Sequence, residues 1–465
     1  MSPLKIYLAN LGQRRPLHPL VTPPLGIMYI AAYLREKHDV SIKICNQKIS
    51  RFSDQVLLKK IVSHNPHIIG LSVMTQASNN LQWITEKLRK SIPHAWIILG
   101  GPHATALGKD LLSYTKAHAV VIGEGEIAFE QIVSSYPKLN DLIKIQGVIT
   151  HESSNGHISP YIENLDTLPI PAYDLIDISA YWKEQSMPPV PRRKYLTLFS
   201  SRGCPCKCSY CHNIFGKKFR QHSPERIVDE IAYYHKKYGV NDYEFVDDIF
   251  NLKPSFIFDF CELLHRKNLK IKIAFPNGVR GDLLTPDIIH ALADAGMYYC
   301  AFAIESGAPR IQKLIKKNLD IEKCINNICI AQQRKVFCHG FAMMGFPGET
   351  AKEMQMTIDL VANSRLHTAS FFTVTPLPGS ELYNQIKKKY PGVLEKLEFK
   401  ELSELTINLS DTDDALFLQI QRNALRKVMM NPNRIKRIML DFPQPHLLPL
   451  YIPEFIRRIT IGLFG

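Results

Sequence analysis

Apolar runs short enough to be strands alternate, along the first 140 residues, with stretches whose apolar positions recur at helical spacing. Lys5–Ala9, Val40–Cys45, Ile68–Val73, Trp96–Leu99 and Ala119–Ile122 read as strands, and Gly26–Glu36, Ser53–His64, Asn79–Ile92, Gly108–Thr115 and Glu126–Ser135 as the helices between them. Near-continuous apolar strands interleaved with such helices predict an α/β unit, a five-stranded doubly wound, Rossmann-like sheet covered on both faces. Sheets of this kind bind ligands beyond the carboxyl ends of their strands. Three loops stand there: Ser72-Val73-Met74-Thr75-Gln76, Gly100-Gly101-Pro102-His103 and Gly123-Glu124-Gly125-Glu126. Glycine lets backbone amides approach a bulky phosphorylated ligand closely. The same sequences also make ordinary tight turns, and it is their sharing of one sheet edge that favours a site.

Residues 141–190, with Pro160, Pro169, Pro171 and Pro188, read as a connecting segment. A second alternating series follows, with strands Tyr195–Phe199, Tyr243–Val246, Lys270–Ala274, Tyr298–Ile304, Val336–Met343 and Ser370–Val374. Its helices include Pro224–Tyr238, Lys253–Arg266, Pro286–Ala295 and Thr350–Ser364. Six strand–helix units in succession predict a partial (β/α)6 barrel whose active site lies at the carboxyl ends of its strands. The expected organisation is a first domain over 1–140, a linker over 141–190, a barrel over 191–390 and a helical C-terminal segment over 391–465.

Composition adds limits. A chain of 465 residues exceeds one ordinary core, and 45% hydrophobic with 22% charged residues excludes disorder. A net charge of +14 favours anionic partners without choosing among them. The amino terminus runs from a short apolar stretch, Ile6–Leu11, straight into charge, and no run is long enough for a membrane span, so a cytoplasmic protein is expected. Its ten cysteines then read as thiols or metal ligands.

Three of them stand apart. Cys204, Cys208 and Cys211, in Ser201-Arg202-Gly203-Cys204-Pro205-Cys206-Lys207-Cys208-Ser209-Tyr210-Cys211, have the spacing C-x3-C-x2-C just after the first barrel strand. Three thiolates hold a [4Fe-4S] cubane and leave its fourth iron free to chelate a small molecule. A zinc site is the alternative, with Cys206, His212 or His222 as the fourth ligand that a closed site needs.

The cluster loop, with Tyr210 before its last cysteine, resembles that of the radical S-adenosylmethionine (SAM) superfamily. Further matches follow in order: Phe219-Arg220, Ser223-Pro224, Asp229-Glu230, Phe245-Val246-Asp247-Asp248, Gly278-Val279-Arg280, Ile304-Glu305-Ser306-Gly307, Met344-Gly345-Phe346-Pro347-Gly348-Glu349-Thr350 and Pro376-Leu377-Pro378-Gly379-Ser380. With Pro23-Pro24-Leu25-Gly26 and the two glycine loops of the first domain, the order resembles the subgroup with an amino-terminal cobalamin-binding domain, over roughly residues 1–390.

The resemblance implies roles. Cys204, Cys208 and Cys211 ligate the cluster; Glu305 contacts the SAM ribose; the backbone of Gly345, Phe346, Pro347 and Gly348 lies along the adenine; Arg280 or Asp247 reaches the methionine moiety. Ser72, Thr75, Gly100, Gly101, Pro102, His103, Gly123, Glu124 and Gly125 form the cobalamin edge. Bland readings stand beside these: a solvated strand end for Glu305, and helix caps for Asp247 and Asp248. The Asp-x-His-x-x-Gly signature that supplies a histidine to cobalt is missing, and neither His18 nor His103 stands in such a pattern, so no histidine ligand is expected. Cys206 reads as a bystander thiol. Cys324, Cys329 and Cys338 read as core thiols rather than a second cluster, and Cys45, alone in residues 1–140, disfavours a methylthiotransferase.

Arg422–Gly465 carries eight Lys or Arg against Asp441 and Glu454, interleaved with Leu447, Leu448, Leu450, Tyr451, Ile452, Phe455, Ile456, Ile459, Ile461, Leu463 and Phe464. This reads either as a peripheral membrane contact or as a helix packed over the barrel mouth. The function expected from the resemblance is a cobalamin-dependent methyltransferase acting on an unactivated carbon of a small or lipid-like substrate, supplied with electrons by a flavodoxin or ferredoxin. An oxidative cyclase or rearrangement enzyme with the same cofactors is the alternative. A non-catalytic cobalamin sensor is opposed by the intact cysteine triad and Glu305, and no nucleic-acid module is evident.

Overall fold

The computed structural model describes residues 3–12, 21–153, 158–188, 193–390, 392–394, 397, 399, 404–450, 452–453 and 456. Its contacts divide into two compact units: one of Met1–Tyr181 with His212–Arg220 and Leu377–Lys389, the other of Trp182–Cys211, Gln221–Pro376 and Tyr390–Gly465.

The first unit is built on strands β1 (Leu4–Asn10), β2 (Val40–Asn46), β3 (Ile68–Ser72), β4 (Trp96–Gly100), β5 (Ala119–Val121) and β6 (Val148–Thr150), in the order β2-β1-β3-β4-β5-β6. The first five are parallel and β6 is antiparallel to β5, so the sheet is mixed, its sixth strand coming from the segment read as a connection. Alternation along the strands divides the core. Tyr7, Ala9, Ile69, Leu71, Ile97 and Leu99 face α2 (Asp54–His64) and α3 (Leu81–Ser91). Ile6, Leu8, Ile68 and Ile98 face α1 (Leu25–Lys37) and the helix Gly125–Ser135. The helix expected over Gly108–Thr115 is α5 (Asp110–Tyr114), preceded by a further short helix, α4 (Pro102–Leu107), and Gly125–Ser135 is α6. Pro102 in the first turn starts α4, and Gly108 at φ +52° ends it.

The second unit carries β7 (Tyr195–Leu198), β8 (Asp242–Phe245), β9 (Lys272–Val279), β10 (Met297–Glu305), β11 (Phe337–Met344) and β12 (Thr368–Thr373), all parallel and paired in chain order. Between them run α7 (Pro224–Tyr238), α8 (Pro254–Arg266), α9 (Pro286–Asp294), α10 (Ile321–Gln333) and α11 (Ala351–Asn363). Local chemistry sets their ends. Ser223 accepts from Arg226 N at the start of α7, Pro224 follows, and Gly239 at φ +63° stops it. Thr350 and Glu353 form a reciprocal capping box on α11.

α12 (Asp414–Met429) and α13 (Pro432–Asp441) complete the described chain. Ile438 of α13 and Phe442 pack on Ala274, Tyr299, Ala301 and Phe337. Tyr299 and Phe337 lie near the starts of their strands, so α13 closes the amino-terminal end rather than covering the mouth. Arg434 is wholly buried and donates to the carbonyls of Val361, Ala362 and Leu366, satisfying the last turn of α11. Among the described residues no helix is long and apolar enough to cross a membrane. Tyr451, Phe455, Arg457, Arg458, Ile459, Ile461, Leu463 and Phe464, on which the membrane reading leaned, lie outside the described residues, as does His18.

Candidate active site

The cluster loop leaves β7 through Gly203, whose φ of +84° only glycine adopts readily. Cys204 and Cys208 are half-buried, Cys211 is exposed, and none is in a disulfide. Ser209 N donates to Ile315 O at 2.9 Å, which fastens this loop to the loop after β10. The three thiols come from one short loop, and three thiolates that each bind a different iron are what a cubane takes from a protein. Cys206 hydrogen-bonds with Cys204, which with Arg280 and Lys317 holds the Cys206 thiol below the usual range while Cys204 is pushed up.

Arg280 does not project freely. Asp282 grips its guanidinium at 3.0 and 3.1 Å, Nη1 lies 3.4 Å from Cys206 Sγ, and Asn251 clamps its backbone in both directions. It therefore faces the cluster loop through Cys206. Asp247 caps no helix. Its Oδ1 accepts from Ser200 N, Ser200 Oγ and Ser201 Oγ at 2.6–2.9 Å, tying β8 to the root of the cluster loop, and burial raises it to about 6. Glu305 ends β10 at φ +65°, a conformation that costs a non-glycine residue about 1 kcal/mol. It is not solvated: Lys317 Nζ lies 3.3 Å from Oε1, and the buried Tyr210 hydroxyl also bonds to it.

Lys317 escaped the sequence reading. It is presented by a loop in which Lys316 and Asn318 have positive φ and the Gln312 side chain binds the carbonyls of Ile304 and Ser306. No periodicity announces such a loop.

After β11, Gly345 N and Phe346 N donate to Glu349 Oε2 at 2.7 and 3.1 Å, and Gly348 N to Leu409 O at 3.0 Å. With Pro347 lacking an N–H, the loop has its amide donors engaged within the protein, and Phe346 is buried, its carbonyl accepting from Glu349 N at 2.9 Å. Phe346 stands 5.9 Å from Tyr210. Burial raises Glu349 to about 7 against the opposing hydrogen bonds. The native carboxyl thus keeps its proton to a higher pH than the unfolded chain's, so its stabilisation is complete below about pH 4.5 and is lost as pH rises through about 7. Urea unfolding at about pH 5 and pH 8 should show the parent losing roughly 2 kcal/mol more than Glu349→Gln over that interval; parallel losses would refute this account of Glu349.

In the first unit, Gly101 sits at φ +89°, where a Cβ would lie 2.8 Å from Ser72 Oγ and 2.9 Å from Val73 N. A Cβ on Gly100 would meet nothing within 4 Å, and Met74 is exposed, so open space lies above the sheet edge, lined by glycine and uncharged groups. This fits the flat, bulky face of a cobalamin. Thr75 is buried beneath the edge, with Oγ1 3.3 Å from His103 Nδ1. His103 is itself buried, and burial lowers it to about 4, which keeps it neutral. Glu124 turns inward: it accepts from Ile162 N at 2.9 Å and pairs with Arg220 at 2.7 Å. Its part is to hold the Gly123–Gly125 turn. Cys324 and Cys338 are core thiols, and Cys329 is half-buried.

A family model described as a B12 binding domain matches residues 19–133, and one described as the radical SAM superfamily matches residues 198–361. The uncharacterized methyltransferase PH0819 of Pyrococcus horikoshii is 31% identical over 367 residues, covering 78% of this chain and 78% of that protein. The cytidylyl-2-hydroxyethylphosphonate methyltransferase of Streptomyces wedmorensis is 28% identical over 422 residues, covering 79% and 78%. Among solved structures, the cobalamin-dependent S-adenosylmethionine radical enzyme OxsB with aqua-cobalamin and S-adenosylmethionine bound shares the fold, with a TM-score of 0.72 at 16% identity over 99% of this chain and 76% of that one.

Proposed function

We propose, from the premise that this chain belongs to the radical SAM superfamily and to its branch with an amino-terminal B12-binding domain, that it methylates an unactivated carbon of a small or lipid-like substrate. The observation that carries the reading is the open triad of Cys204, Cys208 and Cys211 at the carboxyl end of β7, with Glu305 and Lys317 held beside it. The methyltransferase names of the Pyrococcus and Streptomyces relatives support methyl transfer over cyclisation.

When bound, the cluster with SAM supplies a 5′-deoxyadenosyl radical and cobalamin supplies the methyl group. The chain's own part is positional. Cys204, Cys208 and Cys211 hold the cluster, while Arg280 and Lys317 place two cations beside it and stabilise added negative charge. Glu305, fixed by Lys317 and Tyr210, offers a carboxylate to the ribose hydroxyls. The backbone of Gly345–Gly348 runs along the adenine, with Glu349 keeping that loop in place. Asp247 fixes the root of the cluster loop. Ser72 and Gly100 line the cobalamin edge, Gly101, Gly123 and Gly125 let its loops pack closely on Val73, Ile158 and Ile30, and His103 backs Thr75. A flavodoxin- or ferredoxin-type protein delivers the electron.

Product stoichiometry tests the reading. Methyl transfer consumes two SAM molecules per turnover, so S-adenosylhomocysteine and 5′-deoxyadenosine should accumulate near one to one, after subtraction of abortive cleavage, with product heavier by one methyl group. A cyclase or rearrangement enzyme makes 5′-deoxyadenosine without matching S-adenosylhomocysteine. Turnover of the true substrate in that pattern, with no methylated product, would refute methyl transfer and leave the superfamily assignment standing.

A further inference from the structure

The two faces of the second sheet are covered unequally. Phe302, Ile304, Ala342, Met344 and Phe371 point toward the surrounding helices and are almost fully buried. Their neighbours along the strands face the other way. On that inner face the first rows are closed: Tyr299, Ala301, Phe337, His339 and Thr368 are buried, several of them under Ile438 and Phe442. Nearer the carboxyl ends, Ala303, Phe341, Ser370, Met343 and Phe372 are only half-buried, although they belong to the same strands. Register sets them in rows, Ala303 beside Phe341 beside Ser370, then Met343 beside Phe372. Gly278 extends the first row, for a Cβ there would lie 3.2 Å from the Phe341 ring and 3.4 Å from Ala303.

These rows run toward Glu305 and the cluster loop, and their chemistry is uniform. One side is small, Gly278 and Ala303; the other is broad and apolar, Phe341, Met343 and Phe372, with the two phenyl rings 5.6 Å apart. None of these wall residues is charged. The polar exception is deeper: His339 Nδ1 lies 2.7 Å from Thr368 Oγ1 and Nε2 3.1 Å from Ser370 Oγ. A neutral imidazole donates from one nitrogen and accepts at the other. With the proton on Nε2, His339 accepts from Thr368 and donates to Ser370, which keeps its own O–H to give, and Ser370 is the half-buried member of the trio.

We propose that these rows seat the reacting portion of the substrate, and that they select an uncharged, flat or extended apolar group whose single polar atom is bound by Ser370, with His339 as the positioning residue. The inference rests on the reading of the barrel as a radical SAM site and names its substrate class. A charged group on these walls would lose its water against apolar side chains, whereas an apolar one gains from burial against the two rings.

The test uses the full chain with its cluster reconstituted and the probe 6-propionyl-2-dimethylaminonaphthalene, which is uncharged, flat and carries one carbonyl acceptor. Saturable binding with blue-shifted emission is expected. Ala303→Trp, which fills the narrow side, and Phe341→Asp, which charges the broad one, should each weaken it about tenfold or more. Ser370→Ala should shift the bound emission further to the blue, because the carbonyl loses its donor, and His339→Phe, which keeps the hydroxyl but not its orientation, should shift it part of the way. The anion 8-anilinonaphthalene-1-sulfonate should not displace the probe. Iron content and far-ultraviolet circular dichroism identify variants that remain folded, and Ala303→Trp keeps the test open if Phe341→Asp does not. Displacement by the sulfonate, or binding unchanged in the folded wall variants, would overturn the proposal. Because the probe needs no SAM turnover, failure of methyl transfer with these results intact would fall on the functional reading alone.

Discussion

Replacing any one of Cys204, Cys208 and Cys211 by alanine should take the anaerobically reconstituted chain from about four irons to a residual trace, and 5′-deoxyadenosine formation to background. The effect is large because a cubane held by three protein thiolates from one loop loses a third of its protein ligands with each substitution. Cys206→Ala provides the contrast. Its sulfur is engaged by Cys204 and Arg280, so the variant should keep its iron. Iron and sulfide analysis with electron paramagnetic resonance of the reduced protein separates the cases. Stoichiometric zinc in the parent, with no cluster after reconstitution, would sink the assignment.

Gly101→Val should abolish cobalamin uptake, weakening it at least about 100-fold, a loss of roughly 2.8 kcal/mol. Two terms add. A β-branched residue at φ +89° is strained, and its Cβ would stand 2.8–2.9 Å from Ser72 Oγ and Val73 N, both on the sheet edge itself. Relief requires moving the loop after β3, which closes the space above the edge. Cobalamin absorbance after gel filtration reads the loss, and iron content reports whether the cluster unit is intact. A variant that holds cobalamin as the parent does would show that the ligand sits elsewhere.

Much of this was legible because each parallel strand is a nearly continuous apolar run. The strands expected over Val40–Cys45, Trp96–Leu99 and Val336–Met343 fall within one residue at each end of β2, β4 and β11. β6 was not legible: three residues, Val148–Thr150, carry no period, and only the free edge of β5 calls them into the sheet. β9 runs on to Val279 past Pro276, because register shifts between Phe275 and Val279 accommodate a residue that breaks regular strands. In the site, residue types were legible and directions were not. Sequence marks Glu124, Arg280 and the Gly345–Gly348 loop as polar features at strand ends; only coordinates show Glu124 turned onto Arg220, Arg280 onto Cys206 and the loop amides onto Glu349 and Leu409. Lys317 and Asn251 owe their places to loop geometry, which leaves no trace in hydrophobic pattern.

Membership of the first unit is not contiguous in the chain, since His212–Arg220 and Leu377–Lys389 belong to it. During synthesis, residues through Tyr181 emerge with the Glu124 carboxylate already positioned for burial while Arg220, its partner at 2.7 Å, is still being made. An unpaired carboxylate resists leaving water, so the turn at Gly123–Gly125 should stay open until the nascent chain has passed the cluster loop. A fragment ending near residue 181 would inherit the same defect permanently. Attempts to isolate the cobalamin-binding unit should therefore delete between its pieces and rejoin them, rather than cut the chain once.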